Sequence, residues 1–208
     1  DYIIACNGSM VLNNNKEIIL NKYIDNDIAE EIIRSFLDKN DICIHLEVNG
    51  EHYLIETNSL ENTKDLSEDI KEMLLRFNNR IKVEELFAIK RVYSFISIFS
   101  MKKDIKIAEE AKNLLIEKYG QGLEAYRNQY FVDIAPKNCS KGNGLRSILE
   151  LDNIKEENLF AIGDSFNDVS MFELTNNSFT FHHVEEELKR IANNHVSSVK
   201  ECIINIMD

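Results

Sequence analysis

The sequence has no tryptophan, one proline (Pro136), seven glycines and four cysteines among 208 residues. It also lacks any apolar run near the roughly 18 residues that a membrane-spanning helix needs, and no charged segment precedes a signal-like stretch. Each scarcity excludes something. Cys6, Cys43, Cys139 and Cys202 are widely scattered with no C-x-x-C pair. That fits neither a disulfide framework nor a zinc knuckle, and the expected setting is a reducing cytosol. Basic side chains are outnumbered 24 to 36, for a formal net charge of −12. No basic stripe is available to neutralise phosphates in series, so neither nucleic acid nor an anionic membrane is an expected partner. What is present is a globular composition: 44% hydrophobic residues exclude wholesale disorder. The expectation is a soluble, cytoplasmic chain of one large domain or two small ones.

Where glycine is this scarce, each one is expected to mark a backbone position that needs it. Gly142, Gly144 and Gly163 fall close behind Pro136, which makes residues 136–163 the first place to look for chemistry. Upstream, strands and amphipathic helices alternate. Asp25-Asn26-Asp27 offers N-cap residues to a helix carrying Ile28, Ile32, Ile33, Phe36 and Leu37. Ile42, Ile44, Leu46 and Val48 alternate with neighbours read as polar, as a half-buried strand should, and Asn49-Gly50 predicts a tight hairpin into Glu51–Glu56. A helix with Leu66, Ile70, Met73, Leu74 and Phe77, a strand over Val92–Met101, a helix over Ala108–Tyr119 and one strand over Leu123–Ile134 complete an α+β unit with an antiparallel sheet. From Lys141 the pattern becomes βαβα: a helix over Ser140–Leu151, then a strand at Leu159–Ile162. Further elements are expected at Val169–Leu174 (helix), Phe179–Phe181 (strand), Val184–Ala192 (helix) and Val199–Met207 (helix). This predicts a parallel, doubly wound sheet, which the opening Tyr2–Cys6 run would suit. The expected fold class is therefore α/β, divided as 1–15, core; 16–134, inserted α+β unit; and 135–208, rest of the core.

The sharpest local feature is Gly163-Asp164-Ser165-Phe166-Asn167-Asp168 at the carboxyl end of an apolar strand, where open α/β sheets bind ligands. Asp164 and Asp168 lie four apart, with Asn167 beside the second. Mg²⁺ takes one or two carboxylates, keeps waters and is completed by substrate phosphate. A turn with Asp164 as N-cap is the plainer reading. Lys141, in Ser140-Lys141-Gly142-Asn143-Gly144, opens a helix, where a cation opposes the macrodipole at a cost of about 0.3–1 kcal/mol. It makes sense if it faces a phosphate together with the free N–H groups of that terminus; an exposed lysine bent into water is the alternative.

Lys141-Gly142 followed by Gly163-Asp164-Ser165-Phe166-Asn167-Asp168 resembles the third and fourth motifs of the haloacid dehalogenase-like (HAD) superfamily, and more narrowly the Cof-type phosphatases with a C2B cap. Asn7-Gly8-Ser9 is similar to the segment preceding that cap, and Val132-Asp133-Ile134-Ala135-Pro136 to the return from it. The resemblance runs in order along nearly the whole chain. It implies a Rossmann-like HAD core with an inserted C2B cap, and a Mg²⁺-dependent phosphatase of small phosphorylated metabolites such as sugar phosphates, working through an aspartyl-phosphate. It implies Lys141 as the catalytic cation, Asp164 as a direct metal ligand, Asp168 as a ligand directly or through water, and Asn167, Asn7 and Gly8 on the substrate side. Tyr53, Arg91, Tyr126 and Arg127 of the cap are candidates to touch substrate, or equally core and surface residues.

The family's first motif, Asp-x-Asp-Gly-Thr, has no counterpart in these residues. The only Asp-x-Asp is Asp25-Asn26-Asp27, which reads as a helix cap. The sequence opens on an apolar run without Met, so the expectation is an incomplete core whose nucleophile lies on an amino-terminal segment outside this chain. That segment would be a partner, and the chain alone would be inactive. His182-His183-Val184 also departs from the Gly-Asn-Ala turn usual in Cof-type proteins and reads as a loop variation. Two alternatives stand beside the phosphatase: a non-catalytic phosphometabolite-binding or regulatory protein, and a phosphomutase on the same scaffold.

Overall fold

The computed structural model describes residues 1–61, 63–77 and 79–207. Two compact units emerge, Asp1–Leu20 with Cys139–Asp208, and Asn21–Asn138. Their limits fall a few residues beyond the expected 15/16 and 134/135. At the entry, β3 (Ile18–Asn21) belongs to one sheet with β1 (Ile3–Ala5) and β2 (Met10–Leu12). The opening run therefore does not join the parallel sheet, contrary to expectation. It pairs antiparallel with β2, Ile4 opposite Val11. The reason is local: Cys6, Asn7 and Gly8 take φ of 48°, 50° and 86°, a left-handed turn that reverses the chain at once.

The inserted unit holds α1 (Asn26–Phe36), β4 (Ile42–Val48), β5 (Glu51–Ile55), α2 (Asn58–Glu61), α3 (Glu68–Arg76), β6 (Arg80–Ile81), α4 (Val83–Ala88), β7 (Tyr93–Ser100), α5 (Ile105–Tyr119), β8 (Leu123–Asn128) and β9 (Phe131–Pro136). Its six-stranded sheet runs β6-β5-β4-β7-β9-β8. All pairings are antiparallel except β5 with β6. Asn49 and Gly50 both adopt positive φ, as a two-residue hairpin turn of this kind requires. Asp25 caps α1, its Oδ1 accepting from the N–H groups of Asp27 and Ile28 at 3.0 and 3.2 Å. The single strand expected over 123–134 is a hairpin, turned at Gln129 with φ of 53°.

Strand alternation feeds two cores. Ile42, Ile44, Leu46 and Val48 of β4 pack with Ala29, Ile32 and Ile33 of α1 and Ala111 and Leu115 of α5. Cys43, between them, turns to the opposite face and is buried with Leu54, Phe99, and Ile70 and Leu74 of α3. The strand is thus buried on both faces at this end, more than the half-burial its pattern predicts. Beyond the α3 cover, His45 lies against Phe77 and Phe95 and meets His52, Nε2 to Nδ1, at 3.1 Å.

The other unit continues through α6 (Lys141–Leu151), β10 (Ala161–Ile162), α7 (Val169–Phe172), β11 (Ser178–Phe181), α8 (Glu186–Lys189), β12 (Asn194–Val196) and α9 (Val199–Met207). Strands β10, β11 and β12 form a parallel sheet in that order, so the α/β class holds. Ala161, Phe172, Leu188 and Ala192 make one small core and Phe179, Val196 and Cys202 another. No helix is long and apolar enough to cross a membrane among the described residues.

Two predictions follow from these local contacts. Asp25→Ala should lower stability by about 1 kcal/mol in urea unfolding, the usual loss for a removed cap. Burial, reinforced by His52, pushes the His45 imidazole down to about 4. The unfolded chain, with an ordinary value near 6.5, therefore takes up a proton that the native state refuses as pH falls from about 6.5 to about 4. The contribution is complete above that window and is lost through it, by about 2–3 kcal/mol. His45→Gln should flatten the slope measured by urea unfolding at pH 4.5 and 7.5.

Candidate functional site

The site is built from three short segments of the core unit: the turn after β1, the first turn of α6 and the turn after β10. Ser140 caps α6, its hydroxyl accepting from the Asn143 N–H at 3.0 Å. The Gly142 N–H donates to Ser170 Oγ at 3.0 Å and that of Gly144 to the Ser140 carbonyl at 2.9 Å. This corrects the expectation that free backbone donors at this terminus would meet an anion. Those of Gly142, Asn143 and Gly144 are already satisfied, and the Lys141 ammonium is the charged donor at this terminus.

Lys141 reaches the acidic turn. Its Nζ lies 2.5 Å from Asp168 Oδ1 and 3.1 Å from Asn167 Oδ1. The Asp168 side chain is only 5% exposed, whereas that of Lys141 is 31% exposed. The second oxygen of Asp168 accepts from the backbone N–H groups of Asp164 and Ser165 at 2.9 and 3.1 Å. One carboxylate thus closes the turn and neutralises the lysine, which explains how a cation is tolerated at a helix amino terminus. Gly163 makes room for it: a Cβ there would stand 2.4 Å from Asp168 Cβ and 2.5 Å from its carboxyl carbon.

Asn167 is buried, and both ends of its amide are engaged. Its Oδ1 also accepts from Ser165 Oγ at 2.6 Å, and its Nδ2 donates to Asn7 Oδ1 at 3.1 Å. Gly8, at φ of 86°, presses on α6, since a Cβ there would lie 1.9 Å from the Ser140 carbonyl oxygen. Asn7, Gly8, Lys141, Asn167 and Asp168 are therefore brought together. Asp164 sits beside them with an exposed carboxylate that has no side-chain partner among the described residues. The spacing argument did not single out Ser165 and Ser170. Their hydroxyls orient Asn167 and anchor Gly142, and only the position of Ser165 inside the motif hinted at a role.

The remaining candidates are occupied or apart. Asp25 is a cap. Arg91 pairs with Glu30 and donates to the Phe87 and Ile89 carbonyls, and Arg127 Nε lies 2.7 Å from Glu109. Tyr53 packs against the larger core. His183 stacks on Phe181. Among the described residues no group of three or more His, Cys, Asp or Glu is placed to hold a metal ion, so the site itself supplies two carboxylates at most.

A family model for haloacid dehalogenase-like hydrolases matches residues 1–204. The chain belongs to this family. Among solved structures it resembles SMU.1108c from Streptococcus mutans UA159, with a TM-score of 0.78 and 21% identity over 97% of this chain and 74% of that one. It also resembles the HAD subclass IIB sugar phosphatase BT4131, with a TM-score of 0.74 and 18% identity over 97% and 72%. By sequence it is 24% identical to the 5-amino-6-(5-phospho-D-ribitylamino)uracil phosphatase YwtE of Bacillus subtilis (strain 168), over 90% of this chain and 70% of that protein. The chain spans 62–70% of the length of five curated relatives that align along most of it.

The two acidic residues of this HAD turn should behave differently. Asp168→Ala strands an ammonium and two backbone donors, and should cost about 3 kcal/mol. Asp164→Ala should stay within about 0.5 kcal/mol. Urea unfolding of both variants checks the contrast.

Proposed function

We propose that this HAD chain carries the phosphate- and metal-facing part of a Mg²⁺-dependent phosphatase acting on small phosphorylated metabolites, sugar phosphates among them. The observation that carries the reading is the partly exposed Lys141 side chain, its ammonium held by Asp168 and Asn167 beside the unpartnered carboxylate of Asp164. The subclass IIB sugar phosphatase fold and the phosphorylated compound in the name of the Bacillus relative support the substrate class.

The donor set fits the ion. Hard Mg²⁺ prefers oxygen ligands, uses one or two protein carboxylates and leaves the remaining positions to water and phosphate. Asp164 would hold it directly. Asp168, with both oxygens engaged by Lys141 and by the turn, would act at one remove through water. When bound, the ion supplies charge neutralisation at phosphoryl oxygens. The protein's own part is positional and electrostatic, which is most of what phosphoryl transfer asks of it. Lys141 offers N–H donors and positive charge to the phosphoryl group, Asp168 fixes where that charge sits, and Asn167 holds the ammonium from the other side. The attacking carboxylate in this reading is not among these 208 residues, since their only Asp-x-Asp, Asp25-Asn26-Asp27, is spent on a helix cap.

The 208-residue chain should therefore bind inorganic phosphate in the presence of Mg²⁺ without hydrolysing phosphate esters. Lys141→Ala should weaken phosphate binding roughly tenfold to a hundredfold by calorimetry. Undiminished binding by Lys141→Ala would remove the basis of the reading, and turnover by the wild-type chain would show that the attacking group lies within it.

A further inference from the structure

We propose that Asn7 is a positioning residue that acts through Asn167 to aim the Lys141 ammonium; this rests on the reading of Lys141 as the phosphate-facing cation. The amide of Asn167 has two unlike ends. Lys141 requires an oxygen, because an NH₂ group turned toward an ammonium would set donor against donor. With Oδ1 committed to Lys141 and Ser165, the Nδ2 end is left pointing inward, in a residue only 5% exposed. A buried donor without an acceptor is costly, and Asn7 Oδ1 supplies that acceptor at 3.1 Å.

Asn7 is itself only 7% exposed, so its carbonyl oxygen faces the interior of the unit, where Asn167 uses it. Its backbone is adapted to the task. At φ of 50° and ψ of 40° it lies in the left-handed region, which asparagine tolerates better than most side chains. The next residue, Gly8, is packed against the Ser140 carbonyl at the start of α6, the helix that carries Lys141. The turn is therefore located against the same helix end whose side chain it helps to orient. The relay is Asn7 to Asn167 to Lys141, with Asp168 holding the far side of the ammonium.

The test separates aim from fold. Asn7→Gly keeps the left-handed backbone and deletes the acceptor, whereas Asn7→Asp keeps both. In the 208-residue chain, Asn7→Gly should make the Asn167 side-chain amide protons exchange roughly two- to tenfold faster by NMR, and Asn7→Asp should retain their protection. With Mg²⁺ present, Asn7→Gly should weaken inorganic phosphate binding by a similar factor, a readout that a merely structural role would leave unmoved. Unchanged exchange in a folded Asn7→Gly protein overturns the proposal. So does lost protection in Asn7→Asp, which decides the matter if the glycine variant does not fold. If the wild-type chain binds no phosphate, the functional reading of Lys141 fails, and the exchange experiment alone decides the role of Asn7.

Discussion

A single buried carboxylate organises the core unit of this HAD chain. Asp168 receives an ammonium on one oxygen and two backbone N–H groups on the other. Burying a carboxylate is expensive unless it is paired and hydrogen-bonded, and here both oxygens are. Several features that look independent follow from that arrangement. The lysine sits at a helix amino terminus because its charge is met there. Position 163 lacks a side chain because the carboxylate fills that space. Asp164 keeps its own oxygens open because its backbone, and not its side chain, closes the turn.

The inserted unit solves a different problem. Its sheet is covered on one face by α1 and α5 and, at one end of the other, by α2 and α3, so the same strands serve two interiors. Where the α3 cover stops, polar residues take over the second face, and His45 and His52 meet there. The lowered basicity of His45 reflects this boundary: the ring is packed against aromatics on one side and faces another imidazole on the other. Arg91 and Arg127, which the sequence left open as substrate contacts or as core and surface residues, are tied into the unit by Glu30 and Glu109.

Much of this was legible in the sequence, for identifiable reasons. Helix caps such as Asp25 and Ser140, the Asn49-Gly50 turn and the residues of the acidic turn are short-range signals, and each occurs where its local chemistry indicates. Elements fixed by long-range pairing were less visible. Strand β6 is two residues long and exists because β5 offers it an edge. The β8–β9 hairpin turns at Gln129, a residue type with little turn preference. The partner of β1 depended on a left-handed turn that includes Cys6, which no composition argument anticipates. The satisfied N–H groups at the start of α6 were hidden because Ser170, the acceptor for one of them, lies 28 residues downstream.

The heptapeptide Ile42–Val48 writes two faces in alternating letters, one an interior throughout and the other an interior only at Cys43. Exchanging one aliphatic residue for another of similar size leaves that text readable, and the family's drift to about a fifth or a quarter of shared residues shows how freely such exchanges accumulate. Losing or gaining one codon inside it is another matter, because every later side chain would then take the wrong face. Length changes in homologous genes should therefore gather in the connections on either side of this strand, because a gap placed within it shifts the register.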